Sequence, residues 1–365
     1  MKFNTYEKYN PSYDSTEKYY PFFKYIFSMK DVLNNLIYLK FEFMKGNIKG
    51  NYIQSLNELK SLKYLKLTRL NPDDTFELKL NNLETLTLRL CTNIAFKDEI
   101  SLSLKHLKIK ECSLVKITKD NHLQCPSLES CLFQDGEGLN HNQYINLIID
   151  FSSMINLKSF VGPSKYFMSL GKSPIEKIKI KIAKDEDYNI NDIFQKICGN
   201  NTLKEVYFYP SNFGNKNLSV QKVNSSIQKI IISERKEDRI FDEERNYNFK
   251  EIFSNLIRLL SLFPNLVDFY LDIYYWNYNF EEEKFKEFIE RILKMEKIKK
   301  VNIYIECVNF SHKEKVIYTI NKLAELFPEA NLNKFEEIYI VYEKPLQSPE
   351  NENKRKNNNE MCCII

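Results

Sequence analysis

The sequence predicts an α/β fold built as a solenoid, on three observations. A nine-residue unit with apolar residues at places one, four and six recurs along most of the chain. Its best copies start 21 residues apart, at Leu62, Leu83 and Leu104. The longer gaps late in the chain carry apolar residues three and four apart, the spacing of a buried helix face. Short strands that return at intervals, with helices or loops between them, stack as a curved parallel sheet. Strand–crossover–strand connections of this kind are right-handed.

The unit is clearest in Leu83-Glu84-Thr85-Leu86-Thr87-Leu88-Arg89-Leu90-Cys91 and again in Leu104-Lys105-His106-Leu107-Lys108-Ile109-Lys110-Glu111-Cys112. Places four and six share one face of a strand, because side chains alternate across it. The first leucine turns the chain into the strand. The cysteine at place nine is small, commonly buried and a weak donor, suited to a turning backbone. One unit alone exposes its apolar face and needs neighbours on both sides.

Taken in order, the copies are Leu36–Phe41, Leu62–Leu67, Leu83–Leu88, Leu104–Ile109, Leu128–Phe133 and a partial Leu157–Phe160. Then come Ile175–Ile180, Leu203–Phe208, Ile227–Ile232, Leu266–Leu271, Ile298–Ile303 and Phe335–Ile340. The early intervals leave room for loops or 3₁₀ turns. The late ones hold three helical patterns, Phe249 to Leu260, Phe285 to Leu293 and Val316 to Phe327. Two of these run into the next strand through a proline turn, at Pro264 and Pro328.

The unit resembles the strand segment of a leucine-rich repeat. The cysteines at place nine, together with Cys125-Pro126-Ser127-Leu128, are similar to the cysteine-containing repeats of F-box/leucine-rich-repeat substrate receptors. The resemblance covers about residues 36–343 as architecture and about 83–133 in its cysteine detail. It implies a leucine-rich-repeat solenoid of about 11–12 irregular repeats, with a concave sheet and helices and loops on the convex side. It also implies a non-catalytic protein-binding role, with a ubiquitin-ligase substrate adaptor as the alternative. No F-box is evident before residue 36.

Composition narrows the classes. The chain has 365 residues, long for one globular core but not for a solenoid, whose repeats touch only their neighbours. Lys+Arg of 53 against Asp+Glu of 49 nearly cancel, which argues against a nucleic-acid binder driven by overall charge. The 8 cysteines form no C-x-x-C pair, so free thiols in a reducing, cytoplasmic compartment are expected. The first residues start no apolar signal segment, and no run of about 18 uncharged apolar residues exists to span a membrane.

At the ends, residues 1–35 are expected to cap the solenoid and 344–365 to form a disordered tail. The chain finishes Cys362-Cys363-Ile364-Ile365, which resembles a C-a-a-X prenylation signal on Cys362. Lys354, Arg355 and Lys356 precede it and would add attraction to an anionic leaflet. The expectation is a cytoplasmic protein held peripherally at the cytosolic face of a membrane.

Catalytic and metal chemistry are weakly represented. No phosphate-cradling glycine motif and no H-E-x-x-H occurs, and the chain has only 8 glycines. His122, Cys125, Cys131 and His141 match no familiar metal spacing. No enzyme activity and no cofactor are therefore expected. The candidate site is the concave face, whose side chains alternate with the core leucines. Early strands offer Lys63, Lys66, Arg89, Lys105, Lys108 and Lys110, followed by Lys177 and Lys179. Late strands offer Asp268, Tyr270, Asp272, Tyr274, Tyr304 and Tyr339. A face basic at one end and acidic-aromatic at the other is expected to bind one protein partner to a monomer, with tyrosines as anchors.

Overall fold

A computed structural model describes residues 2–4, 35–42, 54–72, 74–96, 103–117, 125–134, 154–181, 189–209, 213, 217–233, 249–275, 282–307, 335–342 and 361–363. They belong to two compact units, Met1–Ile175 and Glu176–Ile365. That division falls inside residues 36–343, the stretch expected to form the solenoid.

The first unit is organised by parallel strands β1 (Lys2–Asn4), β2 (Tyr38–Glu42), β3 (Tyr64–Thr68), β5 (Thr85–Arg89), β7 (His106–Lys110), β9 (Ser130–Gln134) and β10 (Ser159–Pro163). They lie side by side in that order. Each of the strands from β2 to β10 begins two residues after the first residue of a predicted copy. The core pair of each unit is buried, as with Leu65 and Leu67, Leu86 and Leu88, or Leu107 and Ile109. Each such side chain contributes about 1.5–3 kcal/mol through burial.

The turn into each strand repeats as well. The N–H of the first-place residue closes onto the carbonyl three residues earlier, at Leu62, Leu83, Leu128 and Leu157. The carbonyl at place two then accepts two N–H groups from the next rung. Lys63 receives Glu84 and Thr85, and Glu84 receives Lys105 and His106. At place eight the backbone enters the left-handed region, with φ of 58° at Arg69, 54° at Leu90 and 53° at Glu111. That reversal throws the chain out of the sheet.

Where loops or 3₁₀ turns were expected, the described residues include a 3₁₀ turn, Gln54–Glu58, and a second parallel sheet. The latter is three-stranded: β4 (Phe76–Leu78), β6 (Thr92–Phe96) and β8 (Ser113–Ile117). Strands β6 and β8 follow the left-handed residues Leu90 and Glu111 directly. Phe76, Leu78, Ile94 and Phe96 are fully buried, so these short segments close the core against the main sheet. A short helix, α1 (Ser164–Ser169), follows β10, and its Phe167 ring lies 6.2 Å from Phe160.

The second unit continues strand and crossover: β11 (Lys177–Lys181), α2 (Ile190–Gly199), β12 (Glu205–Phe208), β13 (Lys229–Ser233), α3 (Phe249–Leu262), β14 (Asp268–Tyr275), α4 (Glu282–Leu293), β15 (Lys300–Cys307) and β16 (Phe335–Tyr342). The strands from β11 to β16 are parallel neighbours. Helices α3 and α4 fall on the predicted patterns. Phe253 of α3 packs 5.4 Å from Phe285 and 5.7 Å from Phe288, and Phe269 of β14 lies 5.7 Å from Phe288. Asn189 caps α2 by accepting from the Asn191 N–H.

Buried Asn255 accepts from Leu218 N–H at 2.9 Å and donates to Phe213 O at 2.8 Å, so an irregular connection is pinned to α3. A last strand, β17 (Met361–Cys363), pairs antiparallel with β16 and places Cys362 opposite Ile340. Among the described residues no helix is long and apolar enough to cross a membrane. The predicted helix at Val316–Phe327, most of the expected cap and most of the expected tail lie outside the described residues.

Candidate functional site

In each unit the side chains that alternate with the core stand on the sheet's open face. Register turns them into rows. In the first unit one row runs Tyr38, Tyr64, Thr85, His106, Ser130 and Ser159. The next runs Lys40, Lys66, Thr87, Lys108, Leu132 and Val161, and a third runs Glu42, Thr68, Arg89, Lys110 and Gln134. Lys66, Arg89, Lys108 and Lys110 therefore lie where alternation predicts.

Lys63 and Lys105 do not. They sit one residue ahead of β3 and β7, at place two, on the rim. Glu84 lies between them, 2.9 Å from Lys63 and 3.1 Å from Lys105. Hydrogen bonds from both lysines hold its carboxyl below the usual carboxylate range, and Glu84 in turn raises Lys63. The alternation continues with Glu129 and Lys158, 3.4 Å apart. These rim residues tie rung to rung.

On the second unit the first row alternates in sign: Lys177, Glu205, Lys229, Asp268 and Lys300. Lys177 and Glu205 pair at 2.7 Å. This row is self-compensating rather than acidic, because lysines stand between its carboxylates. The second row runs Lys179, Tyr207, Ile231, Tyr270 and Asn302. Lys179 is only 8% exposed, and its Nζ lies 3.5 Å from the Tyr207 ring centroid and 5.0 Å from that of Tyr209. Such a contact contributes about 0.5–2 kcal/mol.

A polar chain then crosses the strands. The Tyr207 hydroxyl donates to the Ser233 carbonyl at 3.0 Å, and the Ser233 hydroxyl donates to Asp272 Oδ2 at 2.9 Å. Lys179 and Asp272 are thus engaged within the sheet. Tyr304 stands beside Asp272 in register, with Tyr339 beside it in turn. Tyr274 lies in β14, Tyr339 in β16 and Cys362 in β17; Lys354, Arg355 and Lys356 lie outside the described residues.

Several face residues were missed by the sequence reading. Tyr38 and Lys40 occupy the same places in the first copy as Thr85 and Thr87 in the third, so strict alternation would have found them. The same rule finds Tyr64, His106, Glu205, Tyr207 and Lys229. His106 Nδ1 lies 2.8 Å from Ser130 Oγ. Among the described residues no group of three or more His, Cys, Asp or Glu is placed to hold a metal. No protein-family model matches this chain, and no curated protein matches it.

Proposed function

We propose that this chain is a leucine-rich-repeat scaffold that binds another protein on the open faces of its sheets. The observation that carries this reading is the row structure. Non-core side chains from successive parallel strands stand in register, held by a backbone pattern that recurs from rung to rung within each unit. A face of this kind is preorganised, so a partner does not have to order it on binding. Tyrosines supply anchor contacts, and lysines steer and orient a partner of opposite charge.

The tether belongs to the same proposal. A prenyl group on Cys362 would concentrate the scaffold at a membrane, with Lys354, Arg355 and Lys356 adding electrostatic attraction. One lipid chain gives reversible binding, so the chain would exchange between membrane and cytosol.

Proximity labelling in the chain's own host cells tests the interaction reading. Wild type is compared with a variant carrying Thr87→Glu and Tyr270→Arg, two changes of size and charge on open faces. Loss of a defined set of labelled proteins is expected. A labelled set identical for the two forms would sink the reading. A set dominated by cullin-type ligase components, lost on deleting residues 1–35, would move the adaptor alternative to first place.

A further inference from the structure

We infer that the open face of the first unit takes an acidic protein segment with an aromatic or aliphatic anchor, held by Lys66 and Lys108 on either side of Thr87 and by the exposed pair Tyr38 and Tyr64. This rests on the interaction reading above and names the chemistry of the partner.

The charges carry the argument. Lys66, Thr87 and Lys108 occupy one register row on adjacent strands. Adjacent strands are about 4.8 Å apart, so the two lysines are rooted about 10 Å from each other. The carboxylates nearby are already engaged. Glu42 lies 3.9 Å from Lys40 and 3.8 Å from Arg69. Glu84 is shared by Lys63 and Lys105, and Glu111 lies 3.5 Å from Arg89. No ion pair reaches Lys66 or Lys108 among the described residues. Two uncompensated cations in one row repel each other mildly in the free chain. That repulsion turns into attraction when two carboxylates at the same spacing approach.

The apolar component lies beside them. Tyr38 is 46% exposed and Tyr64 39%, with ring centroids 6.4 Å apart, and Ile37 next to them is 53% exposed. Large exposed aromatics in contact are the usual anchors of protein interfaces. On the other side of the lysines the row continues with half-buried Leu132 and Val161. A polynucleotide presents an unbroken line of phosphates, whereas this row is interrupted by Thr87 and ends in aliphatic side chains. The mixture fits carboxylates spaced within an apolar segment. The second unit does not offer the same face, because its first row alternates in sign and Lys179 is packed against Tyr207.

The test uses the full chain as bait for phage-displayed random 12-residue peptides. Selected peptides are synthesised with a fluorescent label and their Kd measured by anisotropy. The expected sequences carry Asp or Glu beside an aromatic or aliphatic residue. Their affinity should fall about tenfold or more in a Lys66→Glu/Lys108→Glu variant and less in Lys66→Gln/Lys108→Gln. It should change less than about twofold in Lys229→Glu/Lys300→Glu, which alters net charge equally on the second unit. Circular dichroism melts confirm that each variant is folded.

Peptides without acidic residues overturn the inference. So do peptides that respond only to the second-unit variant, which would leave the interaction reading standing. A uridine 12-mer that binds about tenfold more tightly than any peptide, and is lost with Lys66→Glu/Lys108→Glu, also overturns it in favour of RNA. Failure of any peptide to bind either unit overturns both readings.

Discussion

The backbone N–H of Cys91 donates to Sγ of Cys112, 3.4 Å away and one rung along. Each thiol in turn donates to a nearby carbonyl, Cys91 to Arg89 O at 3.2 Å and Cys112 to Lys110 O at 3.1 Å. The place-nine cysteines therefore satisfy the backbone at the turn that leaves the strand. Cys112→Ala should cost about 1–3 kcal/mol, because it leaves the buried Cys91 N–H without its acceptor as well as a small void. Urea unfolding of the variant measures it. A cost under about 0.5 kcal/mol would mean that the thiol only fills space.

Thiol reactivity follows from the same burial. Burial pushes Cys125 up to about 12 and Cys198 up to about 11, and it raises Cys131 further. The hydrogen bond to Cys91, together with burial, raises Cys112. At pH 8 a thiol of pKa 11 is roughly a thousandth thiolate. In native protein Cys125 and Cys198 should therefore alkylate far more slowly than a free cysteine, with rates rising about tenfold per pH unit below the pKa. Mass spectrometry of peptides after timed iodoacetamide treatment checks this. Fast labelling of Cys125 at pH 8 would contradict the packing described.

Leu90 holds φ of 54° with its side chain 37% exposed. A branched residue in the left-handed region is strained by about 1–2 kcal/mol, and little apolar burial compensates here. Leu90→Gly relieves the strain but loosens the unfolded chain; Leu90→Asn relieves part of it without that loss. Leu90→Asn should stabilise the protein by about 0.5–1 kcal/mol, seen as a rise in Tm. Leu88→Ala two residues earlier should instead cost about 2–5 kcal/mol, since Leu88 is fully buried. A Tm lowered by both changes would show that Leu90 is held by contacts rather than merely tolerated.

The rim pair sets a pH dependence with two edges. Glu84 has a lowered folded pKa, owed first to hydrogen bonds from Lys63 and Lys105. Its contribution is present above the ordinary carboxylate pKa and is lost as pH falls through the lowered value. Lys63 has a raised folded pKa, owed first to Glu84. Its contribution is complete below the ordinary lysine pKa and is lost as pH rises through the raised one. Both edges should vanish in Glu84→Gln and weaken in high salt. Carboxyl NMR titration of Glu84 gives the acid edge directly, and an ordinary carboxylate pKa there would contradict the pairing.

The strands were legible because two buried positions per unit, such as Leu86 and Leu88, repeat with little variation. Helices α3 and α4 were legible from the same kind of periodicity. The faces were only half legible. Assigning Lys63 and Lys105 to the open face counts every residue between the core leucines as facing outward, whereas place two does not alternate with places four and six and lies ahead of a strand that starts at place three. The second sheet escaped notice because Phe76-Glu77-Leu78 is too short to carry a period. Helix α2 does carry one, with Ile190, Ile193, Phe194 and Ile197 buried, but it lies in a stretch whose copies are irregular. The burial of Lys179 depends on Tyr207 from the next strand, a contact that no spacing within β11 encodes. Nor does alternation in one strand show that Glu205 neutralises Lys177.

The pairing of β17 with β16 sets the last prediction. Met361 lies opposite Val341 and Cys362 opposite Ile340, so the proposed prenylation of Cys362 would require this short strand to let go. A three-residue strand at a sheet edge is marginal and exchanges readily. Met361→Pro takes away one backbone N–H and fixes φ at the first residue of this short strand, which disfavours the pairing while leaving Cys362-Cys363-Ile364-Ile365 intact. In the native host it should raise the lipidated fraction, read as intact mass of the C-terminal peptide, and move protein from the soluble to the membrane fraction. Cys362→Ser should abolish both. Equal fractionation of wild type, Met361→Pro and Cys362→Ser, with an unmodified terminal peptide, would remove the tether and leave the scaffold reading to stand on its faces alone.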